Sequence, residues 1–292
     1  MIETRGLVKR YGSNIALDRV DLDVPDGGVY GLVGPNGAGK TTLLALLSGL
    51  RKPTEGTIAV GADASKIGVL PDTPRFDPWL TAREVVELAR DLTTSGGKPD
   101  RVEEVLNEAG LGHDADRRVG GFSRGMLQRL GIAATVVGDP ELLMLDEPSS
   151  ALDPMGRREV LDLVSRLRGQ ATVLFSSHIL GDVQEVSDTV GILNRGRLLY
   201  QGPIRDLLVG QATPVYTLRV RADPVAVGEA LRGEPWVTGV KMTPPDTLRI
   251  SVTGMKSAEQ ALAPFLAAAR VPVISFAPED VDLEQVFLEL TT

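Results

Sequence analysis

Residues 34–42 are Gly34-Pro35-Asn36-Gly37-Ala38-Gly39-Lys40-Thr41-Thr42. Their spacing fits the pattern G-x-x-x-x-G-K-[ST] of a phosphate-binding loop. The apolar run 29–33 before them indicates a buried strand, and residues 41–50 indicate an apolar helix. A loop in this position points backbone N–H groups inward, and the helix N-terminus adds partial positive charge. The sequence therefore predicts a polyphosphate site with Lys40 on the β- and γ-phosphates and Thr41 on Mg²⁺.

A second part of the site is predicted at the end of another apolar strand. Residues 142–145 are all apolar, and Asp146 and Glu147 follow them directly. A strand buried on both faces of a parallel sheet has this composition. Asp146 is placed to hold Mg²⁺ through water, and Glu147 to polarise an attacking water as a general base. The alternative interpretation is a surface acidic pair after a core strand.

Composition limits the class of protein. A chain of 292 residues suggests one large domain or two smaller ones. Its net charge of −8 makes it a poor default binder of nucleic acid, and none is expected as a partner. The absence of cysteine excludes disulfides and thiolate catalysis and fits a cytosolic location. No apolar run is long enough to span a bilayer, so another chain has to supply any membrane span.

The first two thirds of the chain indicate an α/β fold interrupted by a helical insert at about residues 78–137. The first helix of the insert begins at Thr81, which forms a capping box with Glu84. Apolar spacing places the helices of the insert at 81–93, 101–109 and 123–137. The elements expected after it are strands at 142–145 and 172–175, a helix at 156–168 between them, and a hairpin at 190–200.

Composition shifts near residues 210–214, and the order of elements then changes. Strands are predicted at 215–220, 237–241, 248–252 and 271–276, and helices at 225–231 and 258–270. This β-α-β-β-α-β order is the ferredoxin-like split pattern. An amphipathic helix follows at 283–290. The predicted domains are therefore residues 1–210, which bind nucleotide, and residues 215–292, a small α+β domain.

Residues 1–210 resemble the ATPase subunits of ATP-binding cassette (ABC) transporters, because several motifs occur in the expected order. Residues 120–126 are similar to the family signature, whose common form is Leu-Ser-Gly-Gly-Gln. Ser123 and Gly125 keep the serine and the second glycine, whereas residues 122, 124 and 126 differ. In the family this segment opens a helix and binds the γ-phosphate held by the other subunit. The alternative is that Ser123 only caps the helix.

The resemblance assigns roles to further residues. Residues 149–153 resemble the D-loop, which crosses the dimer interface in the family. His178 resembles the switch histidine near the γ-phosphate and joins Glu147 as a catalytic residue, and Tyr11 matches the aromatic that stacks on adenine. The nucleotide-binding residues carried over are Tyr11, Gly34, Asn36, Gly37, Ala38, Gly39, Lys40, Thr41, Thr42, Ser123 and Gly125.

Asp72 departs from the family pattern. The family usually has glutamine in this loop, where it touches Mg²⁺ and the attacking water. Aspartate could still ligate Mg²⁺, which prefers oxygen, but it cannot donate an amide hydrogen bond. We expect ATP binding to survive and the timing of hydrolysis or the coupling to differ. The expected metal ligands are Thr41, Asp72 and Asp146.

The tail, residues 282–291, resembles the end of the small C-terminal domain in bacterial exporters of the ABC-2 type. The resemblance implies a P-loop NTPase cassette with a RecA-like core, an antiparallel β subdomain and a helical subdomain, followed by the ferredoxin-like domain. It also implies an ATPase that uses ATP and Mg²⁺. Two such subunits, expected as a homodimer, close around two ATP and drive a separate polytopic permease from the inner face of the membrane.

Three alternatives stay open at the level of sequence. A soluble ABC ATPase acting on nucleic acid or ribosomes usually has two cassettes or a long coiled coil, and this chain has neither. An importer ATPase would be expected to lack the C-terminal tail. A degenerate cassette would bind ATP without hydrolysis, against which Glu147 and His178 argue.

Overall fold

The computed structural model describes residues 1–93, 100–150, 152–210, 215–278 and 283–291. Strands β1 to β14 cover Ile2–Tyr11, Asn14–Val20, Asp23–Val24, Val29–Val33, Glu55–Val60, Ile67–Leu70, Leu142–Leu145, Thr172–Ser177, Thr189–Asn194, Arg197–Pro203, Val215–Val220, Val237–Thr243, Thr247–Val252 and Val273–Pro278. Helices α1 to α10 cover Lys40–Leu47, Ala82–Thr93, Asp100–Glu108, Arg124–Val136, Pro154–Arg166, Leu180–Val186, Ile204–Gly210, Pro224–Arg232, Met255–Ala268 and Leu283–Thr291.

These residues form two compact units, Met1–Asp206 with Phe287–Thr292, and Leu207–Val286. The boundary lies a few residues before the predicted one, and the end of the chain groups with the first unit. As functional domains, the ranges 1–210 and 215–292 stay a prediction. The predicted change of composition at residues 211–214 and the start of the tail at residue 282 lie outside the described residues.

The first unit is built on a six-stranded sheet in the order β10-β9-β4-β8-β7-β6. Strands β9, β4, β8, β7 and β6 are parallel, and β10 pairs antiparallel with β9. Both β4 and β7 are buried along their whole length, as their apolar composition predicts. Helix α6 packs closely on β4, since a Cβ atom on Gly31 would lie 2.4 Å from Val183 Cγ1. The sheet thereby brings the carboxyl ends of β4, β7 and β8 to one edge.

A second, antiparallel sheet of the same unit has β1 at its centre, paired with β2, β3 and β5. The β-like composition of residues 16–24 predicts a single strand there, and this prediction is wrong, because β2 ends at Val20 and β3 is a separate strand. Arg19 adopts a left-handed backbone with φ 53, and the β1–β2 register shifts beside it. Such a bulge interrupts regular pairing, and it leaves no signal in the alternation of apolar residues.

Helices α2, α3 and α4 form the predicted helical block between β6 and β7. The capping box is confirmed, because Glu84 Oε2 accepts from Thr81 N at 2.8 Å and Glu84 N donates to Thr81 Oγ1 at 3.2 Å. These hydrogen bonds from Thr81 hold the pKa of Glu84 below its usual range. Helices α6 and α7 were not predicted; both are short, with seven residues each.

The second unit contains an antiparallel sheet in the order β12-β13-β11-β14, which confirms the ferredoxin-like prediction. Its core includes Leu218, Leu248 and Trp236, which are buried, and Trp236 meets Phe265 edge to face at 6.5 Å between ring centroids. Aromatic pairs of this geometry add to the free energy gained by burial. Within the described part of the chain, no helix has the length and apolar composition that crossing a membrane requires.

Candidate functional site

The phosphate loop connects β4 to the N-terminus of α1, as the sequence predicts. Its glycines are required by geometry at two positions. A Cβ atom on Gly34 would lie 2.2 Å from the carbonyl oxygen of Leu193, and Gly39 has φ 110, a backbone that side chains rarely adopt. The loop therefore folds back tightly and leaves the first N–H groups of α1 directed at its centre.

Lys40 lies almost completely buried inside this loop, with only 5% of its surface exposed. Its Nζ donates to the carbonyl oxygen of Gly34 at 2.7 Å and lies 3.1 Å from Glu147 Oε1. The ammonium group is thus held between the phosphate loop and the end of β7. A buried charge in this position needs partners, and an incoming phosphate can take their place.

Glu147 is held from several sides. Its Oε2 lies 2.7 Å from His178 Nδ1 and also accepts from the His178 backbone N–H at 3.3 Å. Its own backbone N–H donates to Ser176 Oγ at 2.9 Å. Glu147 has φ 48, a left-handed conformation that costs about 1–3 kcal/mol in a residue other than glycine. The structure therefore brings the two predicted catalytic residues, Glu147 and His178, into direct contact.

Asp146 is fixed by the neighbouring strand. Ser176 Oγ donates to Asp146 Oδ1 at 2.6 Å in a buried position, and the Asp146 N–H donates to the carbonyl oxygen of Leu70 at 2.9 Å. Ser176 thus binds both consecutive carboxylate residues, since it also accepts from Glu147. Sequence reasoning missed Ser176 because its partners lie about 30 residues earlier in the chain.

A cleft of about 570 Å³ opens over the phosphate loop, a size that suits a nucleotide. It contains the predicted residues Tyr11, Asn36, Gly37, Ala38, Gly39, Lys40, Thr41, Thr42, Asp72 and Glu147. It also contains residues that sequence reasoning missed, namely Asn14, Ile15, Ala16, Arg195 and Gly196. Gly34, Asp146 and His178 do not line the cleft but support residues that do.

Tyr11 ends β1 at the rim of the cleft and is 46% exposed, so its ring is accessible to a planar partner. Lys9 Nζ lies 5.1 Å from the centre of the ring. The turn that carries Arg195 is tied to the phosphate loop, because Gly196 N donates to the carbonyl oxygen of Ala38 at 2.9 Å. The turn was predicted as part of a hairpin, and only its long-range contact with the loop makes it part of the cleft.

Asp72 follows β6 and lines the same cleft, where it accepts weakly from Ser150 Oγ at 3.5 Å. Asp72, Thr41 and Asp146 provide carboxylate and hydroxyl oxygens, the donors that Mg²⁺ prefers. Within the described residues there is no cluster of three or more acidic, histidine or cysteine ligands. Mg²⁺ usually takes one or two carboxylates together with substrate phosphates and waters, so this donor set fits it.

Ser123 and Gly125 lie apart from the nucleotide cleft. Ser123 caps α4 by accepting from Met126 N at 3.3 Å. Both residues line a separate surface cleft of about 370 Å³, together with Leu152 and Asp153 from the segment that resembles the D-loop. Ala151 of that segment lies outside the described residues. A Cβ atom on Gly125 would have Leu152 Cδ2 at 4.0 Å as its one neighbour within that distance among the described residues, and without a Cβ an anion could approach the backbone here closely.

Comparison with known proteins identifies the family. The sequence profile of the family described as ABC transporter matches residues 17–150. The chain is 35% identical to the uncharacterized ABC transporter ATP-binding protein YxlF of Bacillus subtilis (strain 168), over 99% of both chains. The chain belongs to the ABC transporter ATP-binding proteins. This ABC protein is also 35% identical to the daunorubicin/doxorubicin resistance ATP-binding protein DrrA of Streptomyces peucetius, over 99% of this chain and 92% of the relative.

Among solved structures, the ABC protein matches a dimeric ATP-binding cassette in a post-hydrolysis state bound to ADP and Pi. The match has a TM-score of 0.63 and 26% identity and covers 70% of this chain and 99% of the other. The resemblance predicted from the motifs is therefore confirmed, as is the cassette fold. This chain is therefore an ATP-binding and ATP-hydrolysing subunit of an ABC transporter.

Proposed function

We propose that this ABC subunit works as one of two identical ATPase chains beneath a separately encoded polytopic permease, on the cytoplasmic face of the membrane. The observation that carries the proposal is the contact of Glu147 with both Lys40 and His178 at the floor of the nucleotide cleft. This arrangement supports hydrolysis at the end of β7, because a carboxylate that can accept a proton stands beside the group that holds the phosphate.

ATP binding begins with the groups that are already in place. The exposed ring of Tyr11 stacks on adenine, and backbone N–H groups of residues 37–41 surround the phosphates. Lys40 Nζ exchanges its contacts with the carbonyl oxygen of Gly34 and with Glu147 for β- and γ-phosphate oxygens, which share the negative charge of the polyphosphate. Binding energy therefore comes mainly from charge-assisted hydrogen bonds inside a partly enclosed cleft.

Mg²⁺ would be held by Thr41 Oγ and, directly or through water, by the carboxylates of Asp146 and Asp72. When bound, the ion supplies charge neutralisation on the phosphate oxygens. Ser176 keeps one oxygen of Asp146 occupied and so fixes the direction of the other. Asp72 adds a negative charge where the family usually has a neutral amide. Electrostatic attraction therefore contributes more to Mg²⁺ binding here.

Hydrolysis uses Glu147 as the general base. Its left-handed backbone and its contacts with Ser176 and His178 hold the carboxylate in one orientation. His178 contributes by fixing Glu147 Oε2 and by standing close to the expected γ-phosphate. A base held in this way loses little entropy when the water is aligned for attack.

Each site is completed by the second subunit. Ser123 and Gly125 face a different cleft from Lys40 and Glu147, so one chain has only half of each predicted site. The N-terminus of α4 in the second subunit would bind the γ-phosphate from the opposite side. ATP then joins two chains, and loss of the γ-phosphate contacts lets them separate, which the permease senses as movement.

The proposal is tested by purifying tagged Glu147→Gln protein from detergent-solubilised host membranes with Mg-ATP, followed by mass spectrometry. The substitution keeps the shape of the side chain and removes the base, so the closed dimer accumulates. The matched control is Glu141→Gln, which changes an exposed glutamate before the same strand. We expect a polytopic membrane protein to be enriched with Glu147→Gln relative to the control.

Recovery of one chain type together with one membrane protein supports the homodimer and the separate permease. Recovery of a second cassette protein in equal amount would replace the homodimer by a heterodimer. Recovery of ribosomes or nucleic acid without a membrane protein would contradict the proposed function as a whole.

A further inference from the structure

A buried carboxylate outside the nucleotide cleft ties together three segments of the first unit. Asp182, in the first turn of α6, has no exposed surface. Ser149 Oγ donates to Asp182 Oδ2 at 2.5 Å, and the Arg157 guanidinium pairs with the other oxygen, Oδ1. The site described above uses none of these three side chains.

The two partners of Asp182 enclose the segment that resembles the D-loop. Ser149 is the first residue of this segment. Arg157 lies in the first turn of α5, the helix that begins directly after Asp153. Asp153 caps α5 by accepting from Gly156 N at 3.1 Å. One carboxylate therefore holds both sides of a segment whose counterpart in the family crosses the dimer interface.

The same carboxylate is closely connected to the catalytic pair. Ser149 is two residues after Glu147, and Asp182 is four residues after His178. A turn links them further, because Ser150 N donates to the carbonyl oxygen of Glu147 at 3.0 Å. The left-handed backbone of Glu147 needs support from its surroundings, and the Ser149–Asp182 hydrogen bond holds the chain just beyond it.

The energetic balance favours a rigid connection. Asp182 is fully buried, and among the described residues its carboxylate is bonded by Ser149 and Arg157. Removing one partner of such a pair leaves a buried charge that is poorly compensated. Arg157 keeps 35% of its side chain exposed, so its charge can return to water if Asp182 is replaced.

The geometry points to Asp182 as a positioning residue for ATP hydrolysis: through Ser149 and Arg157 it locks the D-loop-like segment to the His178 segment and sets the orientation of Glu147. This inference rests on the proposed function of Glu147 as the base. Closure of the second subunit on the D-loop-like segment is transmitted to the catalytic carboxylate through Asp182 and its two partners, rather than along the covalent chain alone.

The test compares Asp182→Asn, Ser149→Ala and the double variant in the full-length protein. ATP turnover and the equilibrium dissociation constant for ATP are measured separately. We expect each single variant to lower kcat by about tenfold or more, equivalent to about 1.4 kcal/mol, while the dissociation constant changes by less than about twofold. The double variant should be no slower than the slower single one, because both changes break the same connection.

Asp188→Asn is the matched control. Asp188 also pairs with an arginine, Arg168, and accepts from the backbone N–H of Val29 at 2.9 Å, but it lies outside the cleft. Its replacement should lower Tm without changing kcat of the folded protein. If Asp182→Asn fails to fold, the kcat of Ser149→Ala alone tests the inference, because this substitution removes only one hydroxyl group.

The inference is overturned if both variants keep the wild-type kcat, if kcat and ATP affinity fall in parallel, or if the two effects simply add. It is also overturned if Asp188→Asn lowers kcat as much as Asp182→Asn. A wild-type protein that binds ATP without turnover, alone and with its permease, contradicts the proposed function instead, so the two failures are distinguishable.

Discussion

Lys40 Nζ lies 3.1 Å from Glu147 Oε1, so the predicted phosphate-binding residue and the predicted general base form an ion pair with each other. Both side chains are largely buried, with 6% and 12% of their surfaces exposed. A γ-phosphate entering the loop competes with Glu147 for the ammonium group. In the proposed mechanism, binding of ATP would therefore be linked to release of the Glu147 carboxylate from Lys40.

Replacing Lys40 tests the phosphate site. Lys40→Met should raise the ATP dissociation constant by about 10- to 100-fold, because a hydrogen bond to a charged group contributes about 1.5–3 kcal/mol. The matched control is Lys66→Met, since Lys66 Nζ donates to an exposed carbonyl oxygen of Asp139 and lies outside the cleft. Isothermal titration with ATP measures both. Equal ATP affinities of Lys40→Met and Lys66→Met would show that Lys40 does not bind the phosphates.

Asp72 should govern the metal dependence of turnover. Asp72→Gln replaces a carboxylate with a neutral amide, so the Mg²⁺ concentration for half-maximal activity should rise by about three- to tenfold. ATP binding without metal should stay unchanged. Asp77→Asn, in the same loop, provides the control, because Asp77 bonds the backbone N–H of Trp79 instead of lining the cleft. An unchanged Mg²⁺ titration and turnover in Asp72→Gln would contradict this role.

Acid should weaken the link between β2 and β10. Arg197 donates to Asp18 Oδ2 at 2.8 and 2.6 Å and holds the pKa of Asp18 below its usual range. A carboxylate with a lowered folded pKa adds stability above its unfolded pKa of about 3.9, and this stability is lost as pH falls through the folded value. Asp18→Asn should thus lower Tm at pH 7, and the difference should vanish in acid.

The measurement is thermal unfolding of both proteins from neutral pH down to the acid limit of folding. The control is Asp21→Asn, because in the described structure the Asp21 side chain bonds only the backbone N–H of Gly6. A Tm difference for Asp18→Asn that grows as pH falls would contradict the sign of the pKa shift.

A substitution in the core of the second unit should lower the stability of that unit without changing ATP binding. Leu248 is fully buried in its sheet, so Leu248→Ala should reduce the free energy of unfolding of that unit by about 2–5 kcal/mol. Met242→Ala, at a site that is 41% exposed on the neighbouring strand, should cost far less. Calorimetry with and without ATP should show that the ligand shifts only the transition that Leu248→Ala leaves unchanged. One shared transition would contradict two independent folding units.

Local patterns were sufficient for the elements that build the floor of the site. The glycine spacing of residues 34–39 and the apolar runs of β4 and β7 are properties of short segments, and both elements form where predicted. The capping box at Thr81 is equally local. The bulge at Arg19 was missed, because a change of backbone at one residue leaves the neighbouring alternation intact.

Contacts between distant segments could not be predicted from local sequence patterns. Ser176 meets Asp146 because β7 and β8 pair in parallel with Leu145 opposite Phe175, which places the next residues of the two strands side by side. Asp182 meets Ser149 because α6 follows β8 back over the same edge. These pairings depend on register and packing, and a single sequence carries no periodic signal for them.

Glu147 is proposed to act as the general base on ATP that is held between two copies of this chain. The most direct measurement is the mass in solution of Glu147→Gln, with and without ATP, together with its turnover. We expect a dimer with ATP, a monomer without it, and turnover reduced by about 10²- to 10⁴-fold. ATP should bind at least as tightly as in the wild type, because the side chain at position 147 is then neutral and competes less with the γ-phosphate for Lys40. A protein that stays monomeric with ATP bound, or that keeps wild-type turnover, would contradict the account.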